Sequence, residues 1–131
     1  MQISKHFKKS EFACKCGCGI EFEVDAKLLK ALDSAREICG PLVISSGVRC
    51  NKHNKEVGGA PNSFHKLRDG VLLGADVTIA SKAKRNTLAV LRLYTVLDKG
   101  NARGLGLYNN WCHVDFRPLA RQRWSKLDWD I

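Results

Sequence analysis

No stretch of this chain approaches the roughly eighteen consecutive apolar residues that a membrane-crossing helix needs, so insertion into a bilayer is not expected. The opening residues Met1-Gln2-Ile3-Ser4-Lys5-His6-Phe7-Lys8-Lys9 lack the apolar core of a secretory signal. The expected product is a soluble protein made in the cytoplasm, and any work beyond it would need lysis, a separate pore or injection. Internal repeats and low-complexity linkers are also missing, which leaves one domain over residues 1–131. Acidic residues are few: 13 Asp and Glu face 22 Lys and Arg, a formal charge of +9. That balance favours an anionic partner such as nucleic acid, an acidic membrane or a bacterial wall polymer. The basic residues are scattered, and no aromatic-interleaved RNA motif accompanies them, so nucleic acid is not the expected partner.

What is present is enough for one core, since 44% of 131 residues are hydrophobic. Ser10-Glu11-Phe12 suggests a short helical turn, and Ile20 to Val24 alternates as a strand does. Asp25 is placed to cap a helix over Ala26 to Cys39, with Leu28, Leu29, Leu32, Ala35 and Ile38 at helical spacing and Gly40-Pro41 stopping it. Leu42 to Ser45 reads as a strand, and Asn51 to Val57 as a short helix. Leu72 to Ile79 reads as a buried strand carrying one carboxylate, Asp76. A helix is expected over Lys82 to Leu97, capped near Ser81 and stopped near Gly100. Gly104 to Tyr108, a turn at Asn109-Asn110, and Trp111 to Phe116 read as a hairpin. Alternation puts Trp111, His113 and Asp115 on one face of its second strand. The tail bearing Trp124 and Trp129 is expected to pack on the body or fray.

Three residues can each offer a lone pair to a metal: His65, after the turn-rich Gly58-Gly59-Ala60-Pro61-Asn62-Ser63-Phe64, Asp76 in Gly74-Ala75-Asp76-Val77, and His113 in Trp111-Cys112-His113-Val114-Asp115. Three protein ligands leave a fourth position for water, the pattern of catalytic zinc, whereas structural zinc is closed by four. The Gly-Gly-Ala-Pro stretch sets the entry of His65 and has no phosphate role, because no P-loop lysine and serine follow it. Cys14-Lys15-Cys16-Gly17-Cys18 is too tight for the usual C-x-x-C knuckle, and Cys39, Cys50 and Cys112 are scattered. Reduced turn cysteines, a disulfide, or a second metal recruiting a distant cysteine all remain open.

The ordered set Ser46-Gly47-Val48-Arg49, Asn62-Ser63-Phe64-His65, Ala75-Asp76 and Trp111-Cys112-His113-Val114-Asp115 resembles the zinc peptidases of the M15 family, which include D-Ala-D-Ala carboxypeptidases and phage endolysins and share a fold with the hedgehog signalling domain. The resemblance spans residues 5 to 117. It implies a small α+β domain with helices packed on one side of an antiparallel sheet and zinc on the other, held by His65, Asp76 and His113. It further implies a monomeric enzyme cutting peptidoglycan peptides, of the phage or prophage lysis kind. The family pattern resembles H-x-x-G-x-A-x-D; here the segment from His65 to Asp76 is four residues longer, and Asp69 within it is a competing ligand. Many relatives carry a proton acceptor two or three positions before the third ligand, where this chain has Asn110 and Trp111. Asp115 is therefore the candidate base, or else a carboxylate that orients a ligand; in a further arrangement Asp115 is the ligand and His113 the base. Arg49 resembles the family arginine that holds a substrate carboxylate or stabilises an oxyanion. Ser63 and Trp111 are candidate substrate contacts, Ser63 alternatively bonding within its own turn. A zinc-containing binding domain that does not cut is the alternative.

Overall fold

The structure, a computed structural model, describes residues 1–127. Its centre is a five-stranded sheet in the order β2-β4-β6-β5-β7, from Leu42–Ser46, Gly74–Ile79, Cys112–Asp115, Gly104–Tyr108 and Gln122–Lys126. The first four strands pair antiparallel with one another; β7 joins the edge parallel to β5. A two-stranded parallel pair joins β1 (Glu23–Val24) to β3 (Val71–Leu72). The helices are α1 (Ala26–Cys39), α2 (Asn51–Glu56) and α3 (Thr87–Lys99), preceded by a 3-10 turn at Lys9–Phe12.

Alternation explains which face does what. Ala75, Val77 and Ile79 of β4, Leu105 and Leu107 of β5, and Cys112 and Val114 of β6 point into the core with Leu28 and Leu32 of α1 and Val90, Leu93 and Leu97 of α3. Each fully buried leucine contributes roughly 1.5–3 kcal/mol. The intervening residues Asp76, His113 and Asp115 are thereby committed to the opposite face, away from α3, whose Val90 carbonyl accepts a bond from the Cys112 thiol.

α1 begins as the sequence suggests, with the Asp25 carboxylate accepting from the amides of Lys27 and Leu28. α3 does not. Its cap is Asn86, whose Oδ1 accepts from the Ala89 amide, and Ser81 to Lys84 form a separate turn. Lys82, Lys84 and Arg85 crowd that stretch, and positive charge in a first turn opposes the helix dipole, so the helix starts beyond it. The tail is a strand rather than a loose end up to Lys126; Trp129 lies outside the described residues. Arg123 holds β7 by bonds to the carbonyls of Ala102 and Arg103 and to Asp98 of α3.

The longer segment between His65 and Asp76 also has a structural use. Arg68 and Val71 exchange backbone bonds of 2.9 Å across a turn in which Asp69 has φ 51°, and the segment supplies β3 to pair with β1. β4 keeps its place in the sheet regardless, with Asp76 opposite His113.

Candidate metal centre

Strand register makes half the site. Asp76 of β4 and His113 of β6 are direct partners, so their side chains emerge side by side, with His113 Nδ1 3.1 Å from Asp76 Oδ1. His65 arrives from a loop, Nε2 3.1 Å from the same oxygen. The ligand atoms of the three lie within 4.8 Å of one another. Asp69, in its turn, is not among them.

The outward nitrogen of each imidazole is already committed. His65 Nδ1 is 2.8 Å from the Gly47 carbonyl, which can only accept, so that nitrogen carries the proton. His113 Nε2 is 2.7 Å from Asp115 Oδ2 and carries its proton for the same reason. Neutral imidazoles fixed in this way turn bare lone pairs toward a carboxylate oxygen, an arrangement of acceptors that only a shared proton or a cation resolves. Such outer bonds are what metal-bound histidines use to hold tautomer and ring angle. The donor set of two imidazoles and a carboxylate fits zinc.

Asp115 is wholly buried, and both its oxygens are taken. Oδ1 accepts from the Arg117 amide and Nε, and Oδ2 from Arg117 Nη2 and His113 Nε2, at 2.7–3.1 Å. As a base for water at the cluster it is poorly disposed; its geometry is that of a group holding His113. Gly104 makes this possible: a Cβ there would fall 2.3 Å from Asp115 Oδ2. Burial alone would raise the pKa of both carboxylates. For Asp76 the His113 and His65 bonds outweigh it, and for Asp115 the Arg117 and His113 bonds do, holding both well below the ordinary range. His113, which burial would push down, is instead raised by its bonds to Asp115 and Asp76.

Arg49 reaches the cluster's other side. Its Nη2 is 3.6 Å from Asp76 Oδ2, while Nε donates to Ser46 Oγ and Nη1 to Asn54 Oδ1. Ser63 Oγ accepts from the His65 amide at 3.1 Å, so its hydroxyl is engaged within the ligand turn. Trp111 sits just ahead of β6, its ring stacked on Tyr108 at 4.5 Å. Tyr108 accepts a bond from Trp124 Nε1, and the Trp124 ring stands 5.4 Å from that of His113.

Asn54, Arg117 and Trp124 belong to the site without having been singled out as site residues in the sequence, where Trp124 stood only in a tail expected to pack on the body or fray. Asn54 is buried and bonds the Ala60 carbonyl as well as Arg49, tying the arginine to the loop that delivers His65. Arg117 also stacks over Phe64 and Trp124. It had a signal: two residues beyond Asp115, it continues the alternation of His113 and Asp115. Trp124 had none, because Gln122-Arg123-Trp124-Ser125-Lys126 carries no apolar alternation.

The family model described as Peptidase M15 matches residues 5–115. A search of curated proteins gave no match. The chain belongs to the peptidase M15 family.

Proposed function

From that membership we propose that the protein is a zinc-dependent hydrolase of peptide bonds in bacterial peptidoglycan, acting on the wall after release from the cytoplasm as a phage or prophage lysis enzyme does. The carrying observation is that two histidines each spend one ring nitrogen on a protein acceptor and aim the other at Asp76. His65, Asp76 and His113 are the metal ligands in this reading. Bound there, zinc would lower the pKa of a coordinated water and polarise a carbonyl. Asp115 fixes the His113 ring and is itself held by Arg117. Arg49, aligned by Ser46 and Asn54, is positioned to receive a substrate carboxylate or the oxyanion. Trp111, Tyr108 and Trp124 form an aromatic wall for the peptide. A cavity lined by Lys27, Lys30, Arg103, Arg117 and Arg121, with no acidic residue in its lining, supports approach to an anionic polymer.

The test is fragment release from purified peptidoglycan, identified by mass spectrometry, with and without a chelator. Chelator-sensitive cleavage restored by zinc is expected, and its absence on several wall types would sink the enzymatic reading. The second reading, a zinc-containing domain that binds a wall peptide or a protein without cutting, draws on one observation: Asp115 is fully engaged, and Asn110 and Trp111 occupy the positions of a base. Zinc-dependent wall binding with intact peptides would favour it.

A further inference from the structure

A second cluster lies on the N-terminal side of the domain. The thiols of Cys14, Cys16, Cys18 and Cys50 lie within 4.8 Å of one another. Cys14 Sγ is 3.3 Å from Cys16 Sγ, which is 3.6 Å from Cys50 Sγ. Four sulfurs around a tetrahedral ion at a bond length of about 2.3 Å are separated by about 3.8 Å. A disulfide demands about 2.05 Å. The separations of 3.3 and 3.6 Å sit near the first figure.

The chain is shaped for this meeting. The Gly17 amide bonds the Cys14 carbonyl, and Gly17 at φ 77° reverses the backbone between the second and third thiols, a conformation that side chains with a Cβ resist. Cys50 comes from the far side of the sequence, at the start of α2. Two amides point at sulfur: Cys50 N–H at Cys14 Sγ, 3.5 Å, and His53 N–H at Cys50 Sγ, 3.4 Å. Amide donors of this kind offset charge on metal-bound thiolates.

We propose that Cys14, Cys16, Cys18 and Cys50 hold a structural zinc ion, closed by four sulfurs and separate from the His65, Asp76 and His113 centre. Its role is to staple the N-terminal turn to the loop from Gly47 to Cys50. That loop offers the Gly47 carbonyl to His65 and carries Arg49, and the Val48 amide already bonds Phe12 there. Binding four thiolates releases their protons and requires no oxidant.

The test begins with wild-type protein kept reduced, stripped with a chelator and reloaded with zinc or cobalt(II). Zinc is expected to protect these four cysteines, and not Cys39, from alkylation mapped by peptide mass spectrometry. Cobalt is expected to give the near-ultraviolet charge-transfer absorption of thiolate ligation. Both effects should persist in His65→Ala, which separates this proposal from the catalytic one, and be lost in Cys16→Ser/Cys18→Ser. Alkylation indifferent to zinc, cobalt bound without the thiolate band, or a disulfide joining any two of the four in freshly isolated protein would each overturn it.

Discussion

The two sides of the centre are built differently. Asp76, His113 and Asp115 stand on strands whose register is set by the whole sheet, opposite a core that fixes their face. Arg49, Ser63 and His65 stand on loops, held by Ser63 to the His65 amide, Asn54 to the Ala60 carbonyl, and Arg68 to the carbonyls of Asn62, Ser63 and Lys66. A one-residue slip in β6 would turn His113 into the core, so geometry on that side is inseparable from folding. On the loop side, local bonds worth about 1 kcal/mol each do the positioning, and they can fail while the domain stays folded.

That contrast is broken hardest by Asp76→Ala. It removes the atom both imidazoles share, so zinc at this centre and any activity should be lost entirely while circular dichroism is retained; measurable triad zinc by titration calorimetry would contradict the ligand assignment. Next is Asp115→Asn. If the carboxylate orients His113, zinc affinity should fall by about 10–100-fold, the usual cost of losing such a support. Were it the base, turnover would collapse with affinity intact, so measuring both separates the roles. Arg49→Lys follows on the loop side: zinc affinity should hold and turnover should drop by about 100-fold, since an ammonium cannot reproduce a bidentate guanidinium beside a developing oxyanion. Unchanged turnover would remove Arg49 from the chemistry.

The same contrast decides what could be read in advance. α1, its cap at Asp25 and the alternation in β6 follow from local spacing, and so did the face shared by His113 and Asp115. Asp115 read as a base or as a carboxylate orienting a ligand, and the choice between the two was not legible, because it depends on Arg117 folding back on it and on the absence of a Cβ at Gly104, contacts that no periodicity encodes. β7 escaped notice because an edge strand held by Arg123 and a parallel neighbour needs no apolar pattern of its own. Cys50 meets the Cys14 to Cys18 turn from 32 residues beyond Cys18, a distance over which sequence spacing carries no signal.

A smaller effect comes from pH. In metal-free protein His113 has a folded value above its ordinary 6.5, so the stability it contributes is complete below 6.5 and is lost as pH rises through the raised value. Asp76 and Asp115 have folded values below the ordinary 3.8, so theirs is present above 3.8 and lost as pH falls through the depressed values. Chelated protein should therefore melt highest between about pH 4 and 6.5. Zinc at this centre must displace the His113 proton, so in Cys16→Ser/Cys18→Ser, where the thiolate cluster no longer competes, the gap in Tm between zinc-loaded and chelated protein should widen as pH is raised. A constant gap across that range would show that His113 is not a ligand.

The smallest expected effect probes the loop side alone. Ser63→Ala deletes the acceptor for the His65 amide and little else, since the Ser63 amide and carbonyl keep their partners Ala60 and Arg68. Denaturant unfolding should register a loss of about 0.5–1.5 kcal/mol, the ordinary worth of one such bond. Zinc affinity should weaken more noticeably than stability does, because the residue released is a ligand at the end of a loop and not part of the sheet. A variant that lost stability without losing zinc would mean the loop is held well enough by the Asn54 and Arg68 bonds without Ser63, and the division between a sheet-set and a loop-set half would have to be redrawn around those two residues.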